Sequence, residues 1–333
     1  MIKKYNVGLV GCGTISDAHL GILSEIKNVS VVALCDILPE RANAKAKAHS
    51  LDCKIFTSYE EMLEEEELDA VHICTPHYLH AKMAIMALQK NINVFLEKPL
   101  CISEEEINMI LEAERASGGK ICICFQNRFN PTTLLAKELV EKDGGAISAY
   151  ANVIWSRDLD YYRKSGWRGS FATEGGGVMI NQAIHTIDLL HIFLGIPKSV
   201  TATVVNHHLK DQIEVEDTAV GYVEFEGNKR ANFYFTTAAS GFNDTEICLF
   251  TRSHRVEIKG SSVYLDGVPQ KSPALTDKYR VKECYGNSHE DLIGKFYASL
   301  DEDKDMPIPP EEAKWALKIL LAAYRSEGNS ISI

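Results

Sequence analysis

Along the first third of the chain, short apolar runs alternate with longer amphipathic stretches. The runs at 6–10, 29–35, 70–74, 93–96 and 120–125 are rich in β-branched residues, as expected of strands buried on both faces, and a weaker run surrounds Ile55. The stretches between them carry helix signals: Pro39 opens PERANAKAKAH, and Ser103 with Glu106 forms a capping box ahead of Ile107, Ile110 and Leu111. This alternation predicts a doubly wound parallel sheet, an α/β domain over residues 1–125. After Arg128 the rhythm changes to a helix at 131–142, a strand, a glycine-rich loop, another helix and then strands without helices between them. Ala231, Phe233 and Phe235 alternate with Asn232, Tyr234 and Thr236, the period of a strand with one wetter face, while Gly227-Asn228 and Asp266-Gly267 mark hairpins. Helices return at 289–300 and 310–325, so residues 126–333 are expected to form a second, α+β domain.

Composition narrows the partners. The 333 residues, 45% hydrophobic and 24% charged, suffice for two ordinary globular cores. Asp and Glu outnumber Lys and Arg by 46 to 35, a balance opposed to binding a phosphate backbone, so no nucleic-acid partner is expected. The chain shows no membrane-length apolar stretch and no apolar signal core at its start, so no membrane partner and a cytoplasmic location are expected. Of the nine cysteines, Cys35, Cys74, Cys122 and Cys124 lie in apolar strand-like runs and read as reduced core thiols. There is no CxxC pair, and Cys122-x-Cys124 lacks tetrahedral partners in the sequence, so no metal is expected.

The segment VGLVGCGTISDAHL sets Gly11-x-Gly13 between a predicted strand and a predicted helix. There glycines allow a tight turn, backbone amides approach a pyrophosphate and the helix dipole favours the anion, which makes Gly11, Gly13, Thr14 and Ile15 candidate cofactor contacts. The third position of the fingerprint is Ser16, still small enough for close packing. Asp36 ends the second strand about twenty residues beyond the loop, where a carboxylate accepts ribose hydroxyls and repels a 2′-phosphate. That favours NAD, with nearby Arg41 leaving NADP possible.

Cys74-Thr75-Pro76 and Glu97-Lys98-Pro99 stand at the carboxyl ends of later strands, where open α/β sheets bind ligands. Lys98 is therefore a candidate to polarise a substrate oxygen, its alternative being a surface charge. Downstream, EGGGVMINQAIHTIDLL read as one helix places Asn181, His185 and Asp188 at i, i+4 and i+7, a polar stripe following three flexible glycines. The amide and carboxylate would orient the His185 ring; the alternative is a structural histidine. Ahead of it, RDLDYYRKSGWRGSF offers Tyr161, Tyr162, Trp167 and Arg168, residues that stack against and hydrogen-bond a polyhydroxylated ring, or else serve as packing anchors.

Gly11-x-Gly13 with His19, Asp36, Thr75-Pro76 with His80, Glu97-Lys98-Pro99, and GGG-x-x-x-Asn181-x-x-x-His185-x-x-Asp188 together resemble the Gfo/Idh/MocA family of glucose–fructose oxidoreductases and inositol dehydrogenases. The resemblance implies an N-terminal Rossmann domain and a C-terminal domain with a large, open, mostly antiparallel sheet that forms a homodimer or homotetramer. It implies that Lys98 acts on the reacting oxygen and His185 as general acid/base, assisted from position 181. The family often has Asp there, and Asn181 supplies no negative charge. By the same resemblance Glu97 and Asn127 lie near the nicotinamide, and Thr75, Pro76 and His80 line the path to it. The expected activity is NAD(P)-dependent oxidation of a secondary alcohol in a sugar, inositol or related polyol. Two alternatives stay open at this level: redox-neutral, NAD-dependent glycosidase-type or elimination chemistry on a sugar, and a non-catalytic dinucleotide-binding protein.

Overall fold

The structure, a computed structural model, describes residues 3–272 and 288–333. In chain order its elements are β1 (Tyr5–Val10), α1 (Ser16–Leu23), β2 (Val29–Cys35), α2 (Pro39–Ala48), β3 (Lys54–Phe56), α3 (Tyr59–Glu65), β4 (Ala70–Ile73), α4 (His80–Gln89), β5 (Asn93–Glu97), α5 (Glu104–Ala116), β6 (Ile121–Cys124), α6 (Pro131–Lys142) and β7 (Ser148–Ser156). They continue with α7 (Leu159–Arg163), α8 (Val178–Asn181), α9 (Ile184–Leu194), β8 (Pro197–Val205), β9 (Thr218–Phe225), β10 (Lys229–Thr236), β11 (Ala238–Phe250), β12 (Arg255–Lys259), β13 (Ser262–Leu265), β14 (Val268–Gln270), α10 (His289–Asp301), α11 (Pro310–Tyr324) and β15 (Ile331–Ser332). Residues 3–101, 105–126 and 288–313 form one compact unit, and residues 102–104, 127–272 and 314–333 a second.

The first unit holds a six-stranded parallel sheet in the order β3-β2-β1-β4-β5-β6. The uninterrupted apolar runs are its strands because both faces are covered: every position of β4 and β6 is buried. From β1 the chain builds outward to β3 and then returns to the other side of β1 at β4, and this reversal is the switch point at which such sheets bind ligands. Late in the chain, α10 packs against α1 and β6, and Ile123 N donates to Ile308 O at 2.9 Å. Residues 288–313, which the sequence reading gave to the second domain, thus pack in the first unit.

The second unit holds a nine-stranded sheet in the order β14-β13-β12-β11-β7-β10-β9-β8-β15. Only β7 and β10 pair in parallel; the other pairs are antiparallel. Alternation sets its faces: Ala231, Phe233 and Phe235 are buried while Tyr234 between them is exposed. On the buried side, α8 and α9 pack against β7, β9 and β10.

The helix read as continuous across 178–190 is two pieces, because Ala183 N bonds Val178 O, five residues back, at 2.8 Å and inserts an extra residue into the turn. Asn181 ends α8 and His185 lies in the first turn of α9, so their four-residue spacing no longer places them on one helical stripe. The cysteines among the described residues are free thiols, and no described helix is long and apolar enough to cross a membrane.

Candidate functional site

In the first unit the candidate residues follow the carboxyl ends of three neighbouring strands: Gly11 after β1, Thr75 just beyond β4, Lys98 after β5. Gly11 has φ +91°, and a Cβ there would stand 2.6 Å from the Cys74 carbonyl, so only glycine lets the loop pass so close to the end of β4. A Cβ on Gly13 would meet nothing within 4 Å: the outer side of the loop is open. No side chain caps α1 behind Ile15; Asp17 N and Ala18 N turn back onto Thr14 O (3.4 Å) and Ile15 O (3.1 Å), and the positive end of the helix dipole is left to suit an anion. The Thr75 hydroxyl is buried without a hydrogen-bond partner. Asp36, nearly buried, accepts Cys12 N (2.8 Å) on Oδ2 and Leu38 N (2.9 Å) on Oδ1, and each oxygen keeps a lone pair for a ribose hydroxyl. Arg41 is exposed on α2, five residues along the chain from Asp36. An open glycine, an uncapped helix, an orphaned hydroxyl and a strand-end carboxylate fit a dinucleotide along this edge.

Two side chains expected on the cofactor path are turned elsewhere. His80 is fully buried at the start of α4, with Nδ1 2.7 Å from Pro99 O and Nε2 2.9 Å from Thr75 O. Burial lowers the ring's proton affinity, and the neutral ring has one N–H to donate to one of these carbonyls while its other nitrogen lies against the second, so it sits wedged between the ends of β4 and β5. Pro76 caps the short turn preceding it. Glu97 points into the unit: Oε1 lies 3.0 Å from His19 Nε2 and 3.5 Å from His289 Nε2, while Oε2 accepts Lys98 N at 3.2 Å. His19 Nδ1 lies 2.8 Å from His72 Nδ1, and His72 Nε2 lies 3.0 Å from the Tyr297 hydroxyl. Burial alone would raise the Glu97 carboxyl, but the bonds and charges from His19 and His289 outweigh it and hold the group well below its ordinary value. Burial lowers His19 and His72. The Cys124 sulfur joins this set, within 4.8 Å of the donor atoms of His19, Glu97 and His289. The network therefore anchors the backbone that carries Lys98.

In the second unit the aromatic loop and the glycine-rich segment meet. Glu174, 1% exposed, accepts the Asn181 amide on Oε1 (2.6 Å) and Gly169 N on Oε2 (2.6 Å). Asn181 Nδ2 and Gln182 Nε2 each donate to the Tyr161 hydroxyl at 3.2 Å. The guanidinium groups of Arg157 and Arg168 lie 4.8 and 4.7 Å from the Tyr161 ring centre, and Arg168 also lies 4.5 Å from that of Trp167. Tyr161, Trp167, Arg168 and Asn181 are thus brought together, and the carboxylate absent from position 181 is found on Glu174. Burial pushes the Glu174 carboxyl up to about 7 against the lowering effect of the Gly169 and Asn181 bonds.

The three glycines are set by close packing. All are buried, and added Cβ atoms would stand 2.6 Å from Ile102 Cγ2 at Gly175 and closer still to the Tyr324 hydroxyl at Gly176 and to Glu216 O at Gly177. Glu216 holds the start of α8, accepting Gly177 N (2.8 Å) on Oε2 and Met179 N (2.9 Å) with the Tyr324 hydroxyl (3.0 Å) on Oε1. Its carboxyl is also raised to about 7 by burial. His185 is buried, 6% exposed. Asp188 was expected to help orient that ring; instead it takes a two-pronged bond from Arg128, Nε to Oδ2 at 2.8 Å and Nη2 to Oδ1 at 2.6 Å. Asn127, next to Arg128, has a buried Oδ1 without a partner.

Sequence reasoning missed Glu174, Gln182, Glu216, Tyr324 and His289. Only the first two carried a local signal, as polar residues flanking the glycines and Asn181 inside an otherwise apolar segment.

A dinucleotide edge on a parallel sheet, with a lysine two strands from the glycine turn, defines a nucleotide-dependent enzyme class. The comparisons specify it: residues 5–125 match the oxidoreductase family with an NAD-binding Rossmann fold, and residues 134–265 match the GFO/IDH/MocA C-terminal domain. The chain belongs to the Gfo/Idh/MocA family and is an NAD-dependent oxidoreductase. It is 26% identical to the uncharacterized oxidoreductase YrbE of Bacillus subtilis, over 98% of this chain and 95% of that protein. It is 23% identical to a myo-inositol 2-dehydrogenase of Thermotoga maritima, over 96% and 95%. Among solved structures, the WlbA dehydrogenase of Bordetella pertussis, in complex with NADH and UDP-GlcNAcA, superposes with a TM-score of 0.88 at 28% identity, covering 99% of this chain and 98% of that one.

Proposed function

We propose that the chain reversibly oxidises a secondary alcohol on the ring of a sugar, inositol or related polyol, with NAD preferred to NADP. The observation that carries the reading is the row Gly11, Thr75, Lys98 on adjacent strands β1, β4 and β5. Two strand spacings, about 10 Å, separate the phosphate-binding turn from the lysine, a reach suited to a dinucleotide laid along the edge. The relatives' named ligands, an inositol and UDP-GlcNAcA, support a polyhydroxylated ring as substrate. Bound NAD supplies the two-electron acceptor. In this reading the Lys98 ammonium stabilises the developing oxyanion, His185 takes the hydroxyl proton, and Asn181 positions the substrate among Tyr161, Trp167 and Arg168. Asp36 favours NAD by its charge. Association through the nine-stranded sheet belongs to the same proposal and rests on Val220 and Tyr234, cross-strand neighbours that are 49% and 41% exposed.

The test is NADH formation from inositols, aldoses, anhydrosugars and nucleotide sugars, with NAD and NADP in parallel. Lys98→Ala and His185→Ala should each lower kcat by about 10² or more with NAD affinity kept. Full turnover in either variant defeats the assignment. Product formed without NADH accumulation would establish redox-neutral chemistry instead.

A further inference from the structure

Glu174 and Asn181 form a pair whose hydrogen-bond polarity can be read directly. A carboxylate only accepts, so the 2.6 Å contact fixes the Asn181 amide with its nitrogen toward Glu174. That nitrogen's other hydrogen is directed to the Tyr161 hydroxyl, 3.2 Å away, so its two donors have two acceptors. Asn181 consequently presents its carbonyl oxygen, an acceptor, on the side away from Glu174. The second Glu174 oxygen is held by Gly169 N, which fixes the carboxylate in turn.

From this geometry we propose that Glu174 is a positioning residue for the reaction: in its ionised form it sets the flip of the Asn181 amide so that an acceptor oxygen meets a substrate hydroxyl, and the ionised pair holds one negative charge in total. The proposal rests on the functional reading above. It has a specific consequence for substitution. Two carboxylates cannot share a 2.6 Å contact unless one of them takes a proton, and two amides leave either a donor facing a donor or the Asn181 amide reversed. The mirrored pair, Glu174→Gln combined with Asn181→Asp, satisfies the site again: the introduced amide would accept Gly169 N on its oxygen and donate from its nitrogen to the introduced carboxylate. Position 181 would then once more present an acceptor oxygen.

The experiment is a four-protein cycle of wild type, E174Q, N181D and E174Q/N181D. It measures kcat and KM with the polyol giving the fastest NADH formation, NAD affinity by NADH fluorescence, and Tm. E174Q and N181D should each lower kcat by about 30-fold or more, with NAD affinity within about twofold of wild type, and the double variant should recover to within about threefold. A double variant no better than the weaker single one, or E174Q with wild-type kcat, overturns the proposal. Should the wild-type chain form no NADH from any polyol, the functional reading fails, and the pairing is then decided by Tm. N181D must lower it and the added E174Q must restore it, and absence of that restoration overturns the pairing.

Discussion

Glu97 and Glu174 are both buried, one in each unit, yet their surroundings drive them in opposite directions. Glu97 is met by His19 and His289 and by the amide of Lys98, and its carboxyl lies well below the ordinary range. Glu174 is met by one side-chain amide and one backbone amide, which do not offset its burial, and its carboxyl rises to about 7. Burial is common to both; what differs is whether the donors belong to titratable rings or to neutral amides. The first arrangement suits an anchor that stays ionised, while the second leaves a carboxyl close to the edge of its charge.

The comparison breaks most visibly if Glu97 proves dispensable. Glu97→Ala leaves the His19 ring nitrogen and the Lys98 amide without their acceptor in a dry interior and removes the carboxylate 3.5 Å from His289 Nε2, so a loss of about 3 kcal/mol or more is expected in urea denaturation followed by circular dichroism. Glu174→Gln removes a charge that burial disfavours, and at pH 8 it should leave stability within about 1 kcal/mol of wild type or raise it. A cost below about 1 kcal/mol for Glu97→Ala would show that the histidine network is not an anchor.

How much of this was legible in the sequence depends on how far apart the partners lie along the chain. The glycine turn, Asp36 and the Glu97-Lys98-Pro99 strand end are local motifs whose chemistry follows from strand, turn and helix in succession, and the fold preserves them. Glu97 meets His289 only after the chain has built an entire second unit and returned, and no periodicity records such a pairing. The break between α8 and α9 was hidden for a different reason: both halves are apolar, and a five-back hydrogen bond at Ala183 leaves no mark in residue type. Read as one continuous helix, the segment makes Asn181, His185 and Asp188 a stripe behind three flexible glycines. Contact with Ile102, Tyr324 and Glu216 gives those glycines a steric reason instead.

The two units should also answer pH in opposite directions. In the first, burial lowers His19 and His72 below 6.5, so the stability they contribute is complete above that value and is lost as pH falls through it. In the second, Glu174 and Glu216 rise from 4.5 to about 7, so their contribution is complete below 4.5 and is lost as pH climbs toward 7. Between those limits each group changes stability by up to about 1.4 kcal/mol per pH unit. The three tryptophans, Trp155, Trp167 and Trp315, all lie in the second unit, so their emission follows that unit alone. On going from pH 7 to pH 5, the urea midpoint by emission should rise while protection of the slowest-exchanging amides in β1, β4 and β5 falls. Shifts of the same sign in both would remove the contrast between buried histidines and buried carboxyls.

The smallest expected change in stability comes from the glycine loop, and it separates binding from folding. In the second unit a methyl on Gly177 would collide with the Glu216 carbonyl, whereas one on Gly13 meets no protein atom within 4 Å. Gly13→Ala should therefore keep its stability within about 0.5 kcal/mol. The space it fills is where a pyrophosphate must approach the backbone, so NAD binding should weaken by about tenfold, measured by quenching or calorimetry. An unchanged NAD affinity would mean that the open side of the loop is not the phosphate side, and the row from Gly11 to Lys98 would lose its functional meaning. A fall in stability instead would place Gly13 with the steric glycines of the second unit.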